Sequence, residues 1–81
     1  MENKILIELH VPQIEEVYSV FIPLGKTVRN VINLLEDAVI SLSNGSYHKS
    51  DVNLYVSGKL IDQGKLIKNS GITNGCHVVM I

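Results

Sequence analysis

The stretch Val52–Ile81, VNLYVSGKLIDQGKLIKNSGITNGCHVVMI, decides the fold. Leu54 and Val56 alternate with Asn53, Tyr55 and Ser57, the period of a strand with one buried face. Gly58-Lys59 reads as a tight turn, and Leu60-Ile61 as a short return strand ended by Asp62-Gln63-Gly64. Lys65-Leu66-Ile67-Lys68 reads as one helical turn that buries Leu66 and Ile67. Gly71-Ile72 and Asn74-Gly75 then set up a closing strand, with Val78 and Met80 inward by alternation. Three short strands with little cover of their own need a partner strand and a helix. The N-terminal half supplies both.

Ile5, Ile7 and Leu9 alternate with Lys4, Glu8 and His10, with Leu6 the apolar exception on the outer side. Pro12 cannot donate to a ladder, so this strand ends near Val11. A loop through Gln13–Glu16 returns the chain into Val17–Ile22, rich in β-branched and aromatic residues. Tyr18, Val20 and Ile22 face inward in this reading, and Val17 and Phe21 outward. Pro23-Leu24-Gly25-Lys26 is a turn, and Thr27 is a good N-cap. Val28, Val31, Ile32, Leu35, Val39 and Leu42 then recur at three- and four-residue steps, an amphipathic helix ended by Ser43-Asn44-Gly45. The loop Ser43–Asp51 is expected to be polar and mobile. The fold class is α+β: a mixed five-stranded sheet, one main helix packed on one face, and a short late helical turn.

Composition narrows the function classes. Eighty-one residues are read as a single domain, residues 1–81. An apolar content of 46% with 19% charged residues excludes disorder by composition. The net charge of −1 and scattered Lys and Arg give no nucleic-acid footprint. A lone cysteine, Cys76, allows no intrachain disulfide and points to a reducing compartment. No apolar run approaches the ~20 residues that span a bilayer, and no signal peptide precedes the first strand. The expectation is a soluble, cytoplasmic protein without membrane insertion. The preference for Ile, Asn and Lys hints at an AT-rich bacterial genome.

No catalytic constellation is visible. Cys76 and His77 are consecutive strand residues pointing to opposite faces, so they cannot act as a pair. Cys76 reads as a small semi-buried residue. His10 and His77 share the open face if first and last strands are neighbours, and are read as exposed surface residues. Glu15-Glu16 and Glu36-Asp37 read as solvated turn and helix-face charges. Neither GxxxxGK[ST] nor GxGxxG occurs. The expectation is no enzyme, no cofactor and no metal.

The segment from strand through Gly58-Lys59 to the closing strand resembles the C-terminal half of ubiquitin-like β-grasp proteins. Pro23–Ile32 (PLGKTVRNVI) and Asn69–Gly75 (NSGITNG), with the N-terminal alternating strand, are similar to the EsaB/YukD family, ubiquitin-like proteins associated with bacterial type VII (ESX, WXG100) secretion. Cys76-His77 departs from that pattern, in which Asp and a polar residue are frequent. Conjugated ubiquitin-like proteins and sulfur carriers use a terminal Gly-Gly. This sequence contains none and ends Val79-Met80-Ile81, so the expectation is the ubiquitin shape without conjugation chemistry.

The resemblance implies a non-conjugating adaptor or regulator that docks noncovalently on secretion-machine membrane components, recruited by them to the inner face of the membrane. The alternatives are a ubiquitin-like interaction module of an unrelated pathway and, more remotely, a modifier or sulfur carrier. Ubiquitin presents an apolar patch on its open sheet face. Alignment through Gly58-Lys59 implies that Tyr55 sits at the centre of such a patch, with Val79 and Ile81 on the adjoining strand and Ile14 contributing from the first loop. Val17 and Phe21 form a rival patch on the second strand. Homodimerisation and strand addition at an open edge are further uses of the same sheet.

Overall fold

The first hairpin sets the frame. In a computed structural model, which describes residues 3–81, β1 (Lys4–Val11) pairs antiparallel with β2 (Glu16–Pro23) over their full lengths, from Lys4 opposite Pro23 to Val11 opposite Glu16. Between them Pro12–Ile14 makes a 3-10 turn that Glu15 closes in the left-handed conformation. The helix α1 (Val28–Leu42) crosses back, followed by β3 (Leu54–Val56), β4 (Lys59–Leu60), a 3-10 turn at Ile67–Asn69, and β5 (His77–Met80). The sheet order is β2-β1-β5-β3-β4, with β5 parallel to β1 and every other pair antiparallel. This is the mixed five-stranded β-grasp arrangement that the sequence implied.

Local chemistry explains where α1 starts and stops. The Thr27 hydroxyl accepts a hydrogen bond from the Asn30 N–H at 3.2 Å. The first free N–H groups of the helix go to the later loop, Val28 to the Lys65 carbonyl and Arg29 to the Gln63 carbonyl. At the other end Asn44 and Gly45 both take positive φ, the left-handed exit expected of that pair. The hairpin between β3 and β4 turns on Ser57-Gly58, both at positive φ, as a two-residue loop requires. The turn therefore lies one residue earlier than Gly58-Lys59, and Lys59 already belongs to β4.

The core lies between the sheet and α1. Ile7, Leu9, Leu54, Val78 and Met80 from the sheet are buried in one cluster with Val28, Val31, Ile32, Leu35 and Val39 from the helix. Three expectations are corrected. Leu42 continues the helical stripe in sequence but, as the last residue of α1, is 56% exposed. The late turn begins at Ile67 rather than Lys65, so Ile67 is the buried anchor and Leu66 is only half-buried. Glu36 is not a solvated helix-face charge: it is 5% exposed and takes a hydrogen bond from the Tyr47 hydroxyl at 2.7 Å.

That bond also corrects the reading of the Ser43–Asp51 loop. Tyr47 is among the largest fully buried side chains, and the Ser50 N–H donates to the same Glu36 oxygen at 3.2 Å. The Gln13 side chain fastens the next residue, accepting from the His48 N–H at 2.8 Å and donating to the His48 carbonyl at 3.0 Å. The loop is polar in composition yet tied to the helix and to the first turn. Burial first, and the Glu36 carboxylate second, hold the Tyr47 phenol well above its ordinary pKa.

Candidate protein-docking face

The alternation that buries Ile7, Leu9, Leu54, Val78 and Met80 sends their neighbours to the opposite face of the sheet, which α1 does not cover. The strand registers arrange those neighbours in rows. His10 lies opposite Val17 on one side and Val79 on the other; Val79 lies opposite Tyr55, and Tyr55 opposite Leu60. Val17, His10, Val79, Tyr55 and Leu60 thus form one line across all five strands. Val17 and Leu60 are exposed; His10, Val79 and Tyr55 are half-buried. A second line is polar: Ser19, Glu8 and His77 are opposite one another, and the Ser19 hydroxyl donates to Glu8 Oε2 at 2.7 Å. Beyond it, Phe21, 67% exposed, pairs with Leu6.

The expected site residues separate into three groups. Tyr55 and Val79 are cross-strand partners within this mostly apolar row. Ile81 is 59% exposed just past the end of β5, joined to Asn53 by backbone bonds in both directions, and it borders a concavity lined also by Pro12, Gln13 and Tyr47. Ile14 does not join them. It packs against the core and lines a depression with Tyr18 and Leu42, on the helix side of the sheet. The 3-10 turn at Pro12–Ile14 swings it there. The rival residue Val17 turns out to lie in the same row as Val79 and Tyr55, while Phe21 stands apart across the polar line.

Two members of the row, His10 and Leu60, were not among the expected site residues. Leu60 was legible in principle, since a two-residue turn at Ser57-Gly58 forces Tyr55 opposite Leu60. His10 needed the parallel β1–β5 register, which no local pattern encodes. Among the described residues no group of three or more His, Cys, Asp or Glu side chains is placed to hold a metal ion, and no helix is long and apolar enough to cross a membrane. Cys76 is half-buried and packs against the core.

No family model and no curated protein sequence matches this chain; the likenesses are structural. It superposes with a TM-score of 0.74 and 17% identity on a protein described as a molecular mimic of SUMO that promotes DNA repair, covering 100% of this chain and 94% of that one. The ubiquitin-like domain of an Arabidopsis thaliana protein gives 0.68 and 22%, covering 99% and 78%. A chain of the MycP5-free ESX-5 inner membrane complex gives 0.72 and 7%, covering 99% of this chain but 21% of that much longer one. At these identities the comparisons establish the fold: this chain has a ubiquitin-like β-grasp fold.

Proposed function

We propose that this protein is a non-conjugating ubiquitin-like adaptor that docks noncovalently on a component of a bacterial type VII secretion system. The observation that carries the docking reading is the continuous row Val17–His10–Val79–Tyr55–Leu60 on the uncovered face. Single exposed apolar residues need no explanation; four apolar side chains and one histidine aligned across the sheet are a candidate recognition surface. Tyr55, beside the central Val79, is a residue type that interface cores favour. The secretion assignment is supported by the likeness of Pro23–Ile32 and Asn69–Gly75 to EsaB/YukD proteins, and by the similarity in fold to part of an ESX-5 inner membrane complex chain. No catalytic role enters this reading.

Crosslinking in the native cell, followed by purification under native and fully denaturing conditions, tests it. Secretion-machine membrane components recovered natively from wild type and lost with Tyr55→Asp support the adaptor. Partners from another pathway, lost in the same variant, would replace the secretion assignment with a ubiquitin-like interaction module of different context, a reading that the SUMO-mimic and plant-domain likenesses favour. A ladder of heavier species surviving denaturation without crosslinker would refute the noncovalent mode.

A further inference from the structure

On the open face, His10 Nε2 and His77 Nδ1 stand 3.0 Å apart, with ring centroids separated by 5.2 Å and planes inclined at 48°. The parallel register produces this contact. Glu8 is opposite His77 and His10 is opposite Val79, so the two histidines are diagonal neighbours on adjacent strands. His77 is exposed and His10 half-exposed, so the pair lies at the surface of the open face.

We propose that His10 and His77 form a bidentate site for a late first-row divalent cation, held through His10 Nε2 and His77 Nδ1. Neutral imidazole is a preferred donor for Ni²⁺, Cu²⁺ and Zn²⁺. With metal–nitrogen distances of about 2.0–2.1 Å, the 3.0 Å separation subtends about 95° at a shared ion. That is close to the cis angle of square-planar and octahedral centres. A tetrahedral ion requires the nitrogens about 0.3 Å further apart. The nitrogen separation therefore suits Ni²⁺ and Cu²⁺ better than Zn²⁺. Because the 5.2 Å centroid separation has the two rings facing each other nitrogen to nitrogen, both imidazoles turn on binding so that their lone pairs converge on the ion.

The protons balance without a co-reactant. In the hydrogen-bonded pair one ring donates to the other. On binding, the donating ring shifts its proton to its far nitrogen, leaving lone pairs at His10 Nε2 and His77 Nδ1 and N–H groups at His10 Nδ1 and His77 Nε2. Both imidazoles stay neutral. The backbone ladder between β1 and β5 fixes the spacing of the two Cα atoms, so only side-chain torsions adjust. The protein supplies two donors and the remaining positions stay open to water or to an outside ligand. Cys76 is excluded as a third donor, because it faces the core on the other side of β5. The site stands on this geometry and not on the docking reading, although His10 lies in the apolar row.

The test is calorimetric titration of the purified, untagged full chain with NiCl₂, together with imidazole ¹⁵N spectra recorded during ZnCl₂ addition. Wild type is expected to bind Ni²⁺ at a single site; His10→Asn and His77→Asn each abolish it. His48→Asn keeps it, since His48 lies in the loop held by Gln13. Zn²⁺ is expected to shift His10 Nε2 and His77 Nδ1 in the wild-type protein and to leave His48 unmoved. This second readout needs no variant to fold. No binding by wild type, binding that survives either substitution, or ¹⁵N shifts centred on His48 would each overturn the site.

Discussion

Leu54 and Tyr55 are consecutive in β3 and meet opposite fates. Leu54 is wholly buried in the cluster that includes α1 residues, whereas Tyr55 lies half-exposed between Val79 and Leu60 on the uncovered face. The same contrast repeats along β5, with Val78 and Met80 buried and Val79 and Ile81 turned out. Both faces carry apolar side chains. Only one has a helix to cover it. Burial against α1 makes the covered face the main source of stability, and substitutions on the uncovered face are expected to change folding less. Substitutions on the two faces should therefore separate stability from binding.

The largest effect belongs to the covered face. Leu54→Ala is expected to lower unfolding free energy by about 2–5 kcal/mol, measured by urea denaturation. For a small domain whose whole stability is about 5–15 kcal/mol, that is a large fraction. A loss no greater than that of Tyr55→Ala would break the distinction between faces.

Next comes the polar tether beside the core. Tyr47→Phe is expected to cost about 1–3 kcal/mol, because the buried Glu36 carboxylate loses its hydroxyl donor and keeps the Ser50 N–H. Its pH signature sharpens the test. The folded-state pKa of Tyr47 is raised, so its contribution is complete below the ordinary tyrosine value of about 10 and declines as pH rises above it. Wild type should lose stability on that alkaline side more steeply than Tyr47→Phe. Parallel pH profiles would contradict the assignment.

Thr27→Ala removes the hydroxyl that caps α1 and is expected to cost about 1 kcal/mol in the same denaturation assay. Smallest of all is Lys49→Met, which breaks the 2.9 Å ion pair with Asp37. Both side chains are largely solvent-exposed, so the unfolding midpoint should not move measurably.

Much of the covered face was legible in the sequence, and less of the uncovered one. Period-two alternation placed Ile7, Leu9, Ile22, Leu54, Val78 and Met80 inward, and the helical stripe from Val28 to Val39 did the same for α1. Alternation reports which face a residue takes, and nothing about which strand lies beside it. Hence Val17 read as a rival to Tyr55, when the order β2-β1-β5-β3-β4 puts both in one row. That His10 and His77 share the open face was expected from neighbouring first and last strands, but their direct contact depends on the parallel register between the two ends of the chain.

Glu36 illustrates a different failure. It falls four residues after Ile32 and three before Val39, a buried position by helical period. Its charge argued for solvent. The deciding partner, Tyr47, comes from a loop whose serine, asparagine and glycine content suggested motion. Ile14 failed for a third reason: a one-turn 3-10 segment sets its direction, and three residues carry too little pattern to reveal one.

The most direct test of the central claim measures one variant twice. Tyr55→Asp should unfold within about 1 kcal/mol of wild type, as expected for a half-exposed strand position, while losing the partners that wild type recovers under native purification. Retained partners in a stably folded Tyr55→Asp protein would contradict the docking role of the open face.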